Sequence, residues 1–487
     1  MRIGIDLGTT TTTVVRLDPA GKPLNPFFTP SLIAYREGTF FYGEDAHSEI
    51  QIGPKPAHPI RDLKLKLGEK GIKGAGQSLK VEDIVSGFLC YLADKVTGGA
   101  AEVEEAVIGT PVNVSESHRS ALLRSAAQAG FKKTRLVYEP TAALVGAMDP
   151  ASMARYGTVL VVDWGGGTLD LSLVVKEGGS LREIAVDGDV SRLGGSMMDA
   201  RIAHKMLERS PTHKRRIAEI PDGLEMLKVD IEQEKQELLE SFSLEDDEIE
   251  LTPFWLDSSI VLKGSDVLHV LSDMADEAAS QIVNFIDRSG LAVSGISYVL
   301  FAGGVCKSQL VRDRIQSVLP NVNVISSSMP QQLTGYGCAR LLSYGYELRL
   351  AADFGVRQSD ESFCCLLPAG HDIGMGCYRR ADFMVSDPTA SEACFDFGII
   401  AQKDKGSKGM TGSTSDGFVS LKMVMLRCQS FDGQLVGAIN HYECVRVFLG
   451  VNEAMAVIVY AESNIAGASV DDRISGIPFA IRIGGLT

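Results

Sequence analysis

Hydrophobic and polar positions change period along the chain, and the changes divide it into segments. Thr158 to Val162 is a β-branched and aliphatic run, and Leu169, Leu171, Leu173 and Val175 then recur at period two. Together they predict two strands flanking a turn, Asp163-Trp164-Gly165-Gly166-Gly167-Thr168. The N-terminus repeats the arrangement: MRIGIDLGTTTTTVVRL reads as strand, Asp6-Leu7-Gly8-Thr9-Thr10, strand. A third apolar strand, Tyr298 to Ala302, runs into Gly303-Gly304 and a helix predicted from Ser308 to Val318. Between these landmarks the period is helical at Val81 to Val96, with Ile84, Val85, Phe88, Leu89 and Leu92 on one side. A strand at Val107 to Thr110 precedes a helix capped by Ser115 and ending near Gly130. Arg201 to Phe285 reads as a charged helical region that includes Lys228 to Glu240, and a last helix spans Pro330 to Tyr344.

After Tyr346 the alternation becomes strand-like. Segments at Phe363 to Leu367, Ala393 to Ile400, Phe418 to Arg427, Val445 to Val451, Glu453 to Tyr460 and Pro478 to Ile483 are separated by Gly, Ser and Asp turns. A loop is expected at Lys403 to Asp416, and the acidic run Glu245-Asp246-Asp247-Glu248 reads as a solvated hairpin turn. The pattern predicts an all-β, sandwich-like domain over residues 347–487, preceded by an α/β domain over 1–346 with lobes of about 1–155 and 156–346.

The glycine turns are where chemistry enters. Three successive residues without side chains leave bare N–H groups that can wrap an anion, because glycine tolerates positive φ. The alternative for one such turn alone is a flexible, ligand-free hairpin. Two copies about 157 residues apart, counted from Asp6 to Asp163, suggest related lobes that offer phosphate-gripping hairpins to one cleft. The third turn has the strand–Gly-Gly–helix form that lets a nucleoside approach backbone.

Composition narrows the class. The chain has 487 residues, 45% hydrophobic and 22% charged, as ordinary globular proteins do. A formal charge of −15 disfavours nucleic acid as a partner. No signal segment or membrane-length apolar run is evident, so a cytoplasmic protein with no membrane association is expected. The nine cysteines form no CxxC pair, and they read as reduced, buried small hydrophobes.

With DLGTT, Glu139-Pro140-Thr141-Ala142-Ala143, DWGGGTLD, Leu193-Gly194-Gly195 and Ala302-Gly303-Gly304 in this order, the chain resembles DnaK-type chaperones. These are the seventy-kilodalton heat-shock family within the actin-like ATPase superfamily. The likeness covers about the first 345 residues and is weak beyond. It implies a two-lobed, actin-like ATPase domain built on a duplicated ribonuclease H-like core. It further implies ATP or ADP as ligand with Mg²⁺, and K⁺ as a further ion. Matched residue by residue, the family's motifs make Lys64 the lysine beside the terminal phosphate, although most lysines are simply solvated. Asp6 and Asp163 would hold Mg²⁺ through water, with Asp170 nearby, and Glu139 would position the attacking water. Thr9, Thr10, Thr11 and Thr168, with Gly8, Gly165, Gly166, Gly167, Gly194 and Gly195, would hold phosphate. Glu232, Lys235, Gly303, Gly304 and Lys307 would meet the nucleoside. Pro111, Arg119 and Glu139 match the family's relay between nucleotide and second domain.

Several positions depart from the family. Gln236 and Lys307 stand in place of arginines framing the base, Leu239 in place of a serine, and Gln331 in place of an aspartate near the sugar. A lysine cannot stack as a planar guanidinium does. Against the family, the interdomain linker is expected to be missing or reduced to Glu347-Leu348-Arg349-Leu350, a peripheral subdomain between Lys64 and Pro111 to be shortened, and the β domain to be lidless. The resulting expectation is an ATP-hydrolysing chaperone whose short β domain binds unfolded or extended polypeptide. A J-domain co-chaperone and a nucleotide exchange factor are its implied partners. The alternatives are a nucleotide switch whose β domain docks one dedicated partner, a small-molecule kinase and a filament-forming protein.

Overall fold

The computed structural model describes residues 1–51, 57–74, 77–99, 102–112, 114–148, 157–177, 179–187, 193–253 except 241–246, 255–374, 378–384, 392–400, 418–427, 444–464 and 467–484. The residue at 254 is outside this set, as are the side chains of 73, 74, 77 and 236–240. The chain forms two compact units. The first holds residues 1–113, 117–176 and 185–345, and the second holds 114–116, 177–184 and 346–487.

Two sheets of matching topology form the first unit. In one, Arg2–Asp6 pairs antiparallel with Thr11–Arg16 and parallel with Glu105–Thr110, which pairs parallel with Thr134–Tyr138. In the other, Thr158–Trp164 pairs antiparallel with Leu169–Glu177 and parallel with Tyr298–Ala302, which pairs parallel with Asn323–Ile325. Each is a hairpin extended by two parallel crossover strands, so the repeated Asp-and-glycine turn sits at the same place in both. The central strands are buried on both faces, as parallel strands covered by helices must be.

Helices join the halves closely. Glu139–Ala147 crosses Leu333–Tyr344 where Gly146 and Gly337 meet: a Cβ on Gly337 would overlap Ala142 O, and one on Gly146 would overlap Leu333 O. The Leu333–Tyr344 helix also lies on the first sheet, where a Cβ on Gly4 would stand 2.8 Å from Ala339 Cα. Farther out, Leu32, Ala34, Ala46, Ile50 and Ala57 share one apolar cluster with Met226 and Val229, and Phe41 and Trp255 pack against it. The tips of the two halves are therefore in dry contact.

The second unit contains two four-stranded antiparallel sheets. One runs Phe363–Leu367, Asp353–Arg357, Glu392–Ile400, Phe418–Arg427; the other runs Arg379–Met384, Cys444–Val451, Val457–Ser463, Ser469–Ile474. Their inward residues include Phe354, Phe395, Phe397, Val447 and Val459, with Phe354 and Phe397 stacked at 5.9 Å. Phe383 meets Phe395 edge-on at 5.6 Å.

Several expectations are corrected here. Glu347-Leu348-Arg349-Leu350, read as a linker remnant, is the strand Tyr346–Leu350, paired antiparallel with Phe479–Ile483. That strand in turn pairs with Ser180 to Arg182, a segment the sequence pattern did not assign to this unit. Glu453 does not begin a strand: Asn452 Oδ1 accepts the Ala456 N–H at 3.0 Å, and the turn delays the strand to Val457. Among the described residues the cysteines are free, and of these Cys306 and Cys338 are buried, Cys90, Cys365 and Cys394 are exposed and Cys364 and Cys444 are half-buried. Cys394 lies opposite the exposed Met425 on the outward face of its sheet, which is why burial fails there. Cys377 and Cys428, the loop at Lys403 to Asp416, and Glu245 and Asp246 of the acidic run lie outside the described residues. Among the described residues no helix is long and apolar enough to cross a membrane.

The helix crossing gives a direct test. Gly337→Ala should destabilise the protein by about 1–3 kcal/mol, the usual range for overpacking. Gly295→Ala, whose nearest neighbour would be Leu291 Cδ2 at 3.6 Å, should leave the melting temperature nearly unchanged. Equal melting temperatures for both variants would show that the crossing has room to spare.

Candidate functional site

The two hairpin turns meet at one cleft within the first unit. A Cβ on Gly166 would lie 2.5 Å from Thr10 Oγ1, and one on Gly167 would lie 3.0 Å from Thr9 Cβ. Glycine is required at both positions because the opposite turn occupies the space a side chain would need. Behind them, Gly195 N–H donates to Gly165 O at 3.2 Å and Ser196 N–H to Gly166 O at 2.7 Å. The first amides of the helix Gly195–Arg209 are thus used to brace the turn.

A cavity of about 310 Å³ opens beside the turns, within the usual range of about 300–1,000 Å³ for ligand pockets. It is lined by Asp6, Gly8, Thr9, Thr10, Thr11, Lys64, Glu139, Asp163, Gly165, Gly166, Gly167, Thr168, Asp170, Gly195, Glu232, Lys235, Gly303, Gly304 and Lys307. Asp6 and Lys307, about 300 positions apart in sequence, are thereby brought to one surface. Gly194 does not line it; it packs behind the turn, against Gly166 and Gly167. Phe28, Met198 and Val305 also line the cavity, apolar residues with no motif to mark them. A second cavity of about 360 Å³ adjoins it, sharing Thr9, Thr10, Thr11, Phe28 and Glu232.

Four carboxylates, Asp6, Glu139, Asp163 and Asp170, crowd together in the lining. Lys64, on the short 3₁₀ turn Leu63–Lys66, donates to Glu139 Oε1 at 2.5 Å, and both side chains are buried. Thr168 Oγ1 donates to Asp170 Oδ2 at 2.6 Å, the Val112 N–H to Asp170 Oδ1 at 3.2 Å, and Thr334 Oγ1 to Asp163 Oδ2 at 3.2 Å. Burial and the neighbouring Glu139 push Asp6 and Asp170 up to about 7, and raise Asp163 well above the carboxylate range. Burial pulls the Lys64 ammonium down, but Glu139 and Asp6 outweigh it and its pKa rises, so it stays charged. Hard oxygen donors short of positive charge suit a divalent cation, but among the described residues no three His, Cys, Asp or Glu side chains are grouped to hold a metal ion directly.

Of the residues expected to form a relay, Glu139 lines the cavity. Pro111 is buried and precedes Val112, whose amide reaches Asp170. Arg119 is fully buried in the helix Glu116–Gln128. The neighbouring His118 is held neutral, its pKa lowered to about 3 by burial and by the charges of Lys64 and Arg119. His118 had no sequence signal, because nothing local distinguishes it from a surface histidine.

Gly303, also in the lining, adopts φ 83° and a Cβ there would stand 2.8 Å from Asp163 Oδ1, while a Cβ on Gly304 would meet nothing within 4 Å. A 3₁₀ turn, Val305–Lys307, separates these glycines from the helix Gln309–Ser317, which lies within one residue at each end of the expected Ser308 to Val318. Gln331 lines the cavity, and its Oε1 is buried without a partner. The side chains of Gln236 and Leu239 lie outside those described. Arg61 and Asp199, absent from every motif, form buried ion pairs here: Arg61 Nη2 lies 2.7 Å from Asp199 Oδ2 and 2.5 Å from Glu232 Oε2.

The Hsp70 protein family model matches residues 65–340. The chaperone protein DnaK of Mycoplasmoides gallisepticum is 27% identical over 361 residues, 69% of this chain and 59% of the relative. That of Mycoplasmopsis synoviae is 27% identical over 367 residues, 69% and 57% respectively. The chain thus spans about three-fifths of the length of the curated relatives it matches. Two sheets of one topology, each turning a glycine-and-threonine loop into a shared cleft, define the two-lobed architecture of actin-like ATPases. The chain belongs to the Hsp70 protein family, whose members are ATPases.

The carboxylates make stability depend on pH. Asp6 and Asp170 release their protons near 3.8 when unfolded but hold them to about 7 when folded. Their contribution is therefore full below about 3.8 and is lost as pH rises through 7. Asp170→Asn should flatten the plot of ligand-free unfolding free energy against pH between these limits, measured by urea melts. An unchanged slope would remove Asp170 from the effect.

Proposed function

We propose that the first unit binds and hydrolyses ATP at this cleft, and that the nucleotide state biases binding of extended polypeptide by the second unit. The observation that carries the reading is the buried Lys64–Glu139 pair set among three further carboxylates, directly beside two facing glycine turns. Thr9, Thr10 and Thr168 would bind phosphate oxygens through their hydroxyls, and the amides of Gly165 to Gly167 would add N–H donors. Lys64, a permanent cation here, would sit at the terminal phosphate and stabilise the charge that develops on transfer. Glu139 would orient the attacking water, held in place by the same lysine.

Asp6 and Asp163 would hold Mg²⁺ through water, with Asp170 behind them. When bound, the ion would neutralise phosphate oxygens and return the raised carboxylates to their charged form. Pro111 and Arg119, with Glu139, would carry the state of the cleft outward: the segment after Pro111 contacts Asp170 through Val112. Extended polypeptide, a J-domain co-chaperone and an exchange factor are the partners proposed, on the strength of the family likeness.

Calorimetry of the purified protein with ATP and Mg²⁺ should give saturable binding, and its absence would end this reading. Lys64→Ala should lower ATP turnover by about 10²–10³-fold, the cost of removing one preorganised electrostatic contact, while nucleotide stays bound. Unchanged turnover would take Lys64 out of the chemistry.

A further inference from the structure

The nucleoside end of the cavity carries a charge network that phosphate chemistry does not use. Asp199, on the helix Gly195–Arg209, is fully buried. Its Oδ2 accepts from Arg61 Nη2 at 2.7 Å, and its Oδ1 accepts from Lys235 Nζ. The same Arg61 nitrogen donates to Glu232 Oε2 at 2.5 Å, and Lys235 Nζ also donates to Gly195 O at 3.2 Å. Two cations balance two carboxylates, so removing any one strands a buried charge.

Glu232 and Lys235 lie three residues apart on the helix Gly223–Glu240, share a face, and both line the cavity. One offers an acceptor and the other a donor with three N–H bonds. Side by side they suit adjacent hydroxyls, each of which both donates and accepts. Arg61 stands three positions before Lys64 in the chain. Between them Asp62, in left-handed backbone at φ 56°, accepts from Ser196 Oγ at 2.6 Å. The short segment that carries Lys64 is thus tethered at Arg61 and at Asp62 to one helix, the helix that carries Asp199.

We propose that Asp199 and Arg61 are positioning residues that tie recognition of the nucleoside's sugar hydroxyls, at Glu232 and Lys235, to the placement of Lys64 at the phosphate end. The inference rests on the nucleotide reading above. Asp199 fixes Lys235 and Arg61 at once, and the planar guanidinium lets Arg61 serve two carboxylates, which a lysine ammonium does less well. A sugar that lacks a hydroxyl would leave the Glu232–Lys235 pair short of a partner, and the strain would pass through Arg61 to the Lys64 segment.

Affinity and single-turnover rate for ATP and 2′-deoxy-ATP, measured on the parent, Asp199→Asn and Arg61→Lys, test this. The parent should bind the deoxy nucleotide about tenfold more weakly, the scale of one hydrogen bond to a charged group, and turn it over more slowly. In both variants the two nucleotides should become alike. Arg61→Lys preserves the charge balance, so it serves if Asp199→Asn fails to fold. A purely structural role would weaken both nucleotides together, and folded variants that keep the parent's ratio would overturn the proposal, as would a parent that does not distinguish the two. Failure of the parent to bind ATP would instead remove the nucleotide reading itself.

Discussion

The contact on which this site depends is the buried pair of Lys64 and Glu139. A lone ammonium or carboxylate at that depth would cost several kcal/mol, and four carboxylates around one lysine leave the cleft short of positive charge. The protein meets the shortage in part by holding Asp6 and Asp170 protonated to about pH 7. The cleft is therefore built to gain from a cation and an anion arriving together, since each relieves repulsion the other would otherwise meet. Hydrogen bonds from Thr168, Thr334 and the Val112 amide hold the carboxylates in place while they wait.

That electrostatic arrangement needs close backbone approach, and the duplicated sheets supply it. Each sheet ends a hairpin in a glycine-containing turn, and Gly166 and Gly167 fit against Thr10 and Thr9 only because they lack a Cβ. Gly146 and Gly337 do the same for the helices behind the sheets. Small residues at both levels let two halves, about 157 residues apart in sequence, share one surface. The apolar contact of Leu32 and Ile50 with Met226 and Val229 closes the outer end.

The second unit follows different rules. Its strands alternate inward aromatic and aliphatic residues with outward polar ones, and the Phe354–Phe397 stack marks the centre of one inner face. The exposed Val419, Met423 and Met425 lie on the outer strand Phe418–Arg427, where the alternation continues with apolar residues on the solvent side. Strands drawn from residues 177–184 and 346–350 join Phe479–Ile483 in this unit.

Local pattern determined much of this protein. The two Asp-glycine-threonine turns, the Gly303-Gly304 turn, the helix Val81–Thr97 and most strands of the second unit follow from periodicity and from residues whose backbone needs are unusual. Nearly all the predicted site residues line one cavity for the same reason: glycine and threonine at a strand end have distinctive local geometry. What only tertiary structure decided is the set of partners separated by 58 residues or more. Arg61 with Asp199, Val112 with Asp170, Thr334 with Asp163 and the neutral His118 have no local mark, because an ordinary arginine, amide or hydroxyl becomes functional only when burial removes water and leaves it one neighbour to satisfy. The strand Tyr346–Leu350 was hidden in the same way, since its pairing lies with a segment more than a hundred residues later.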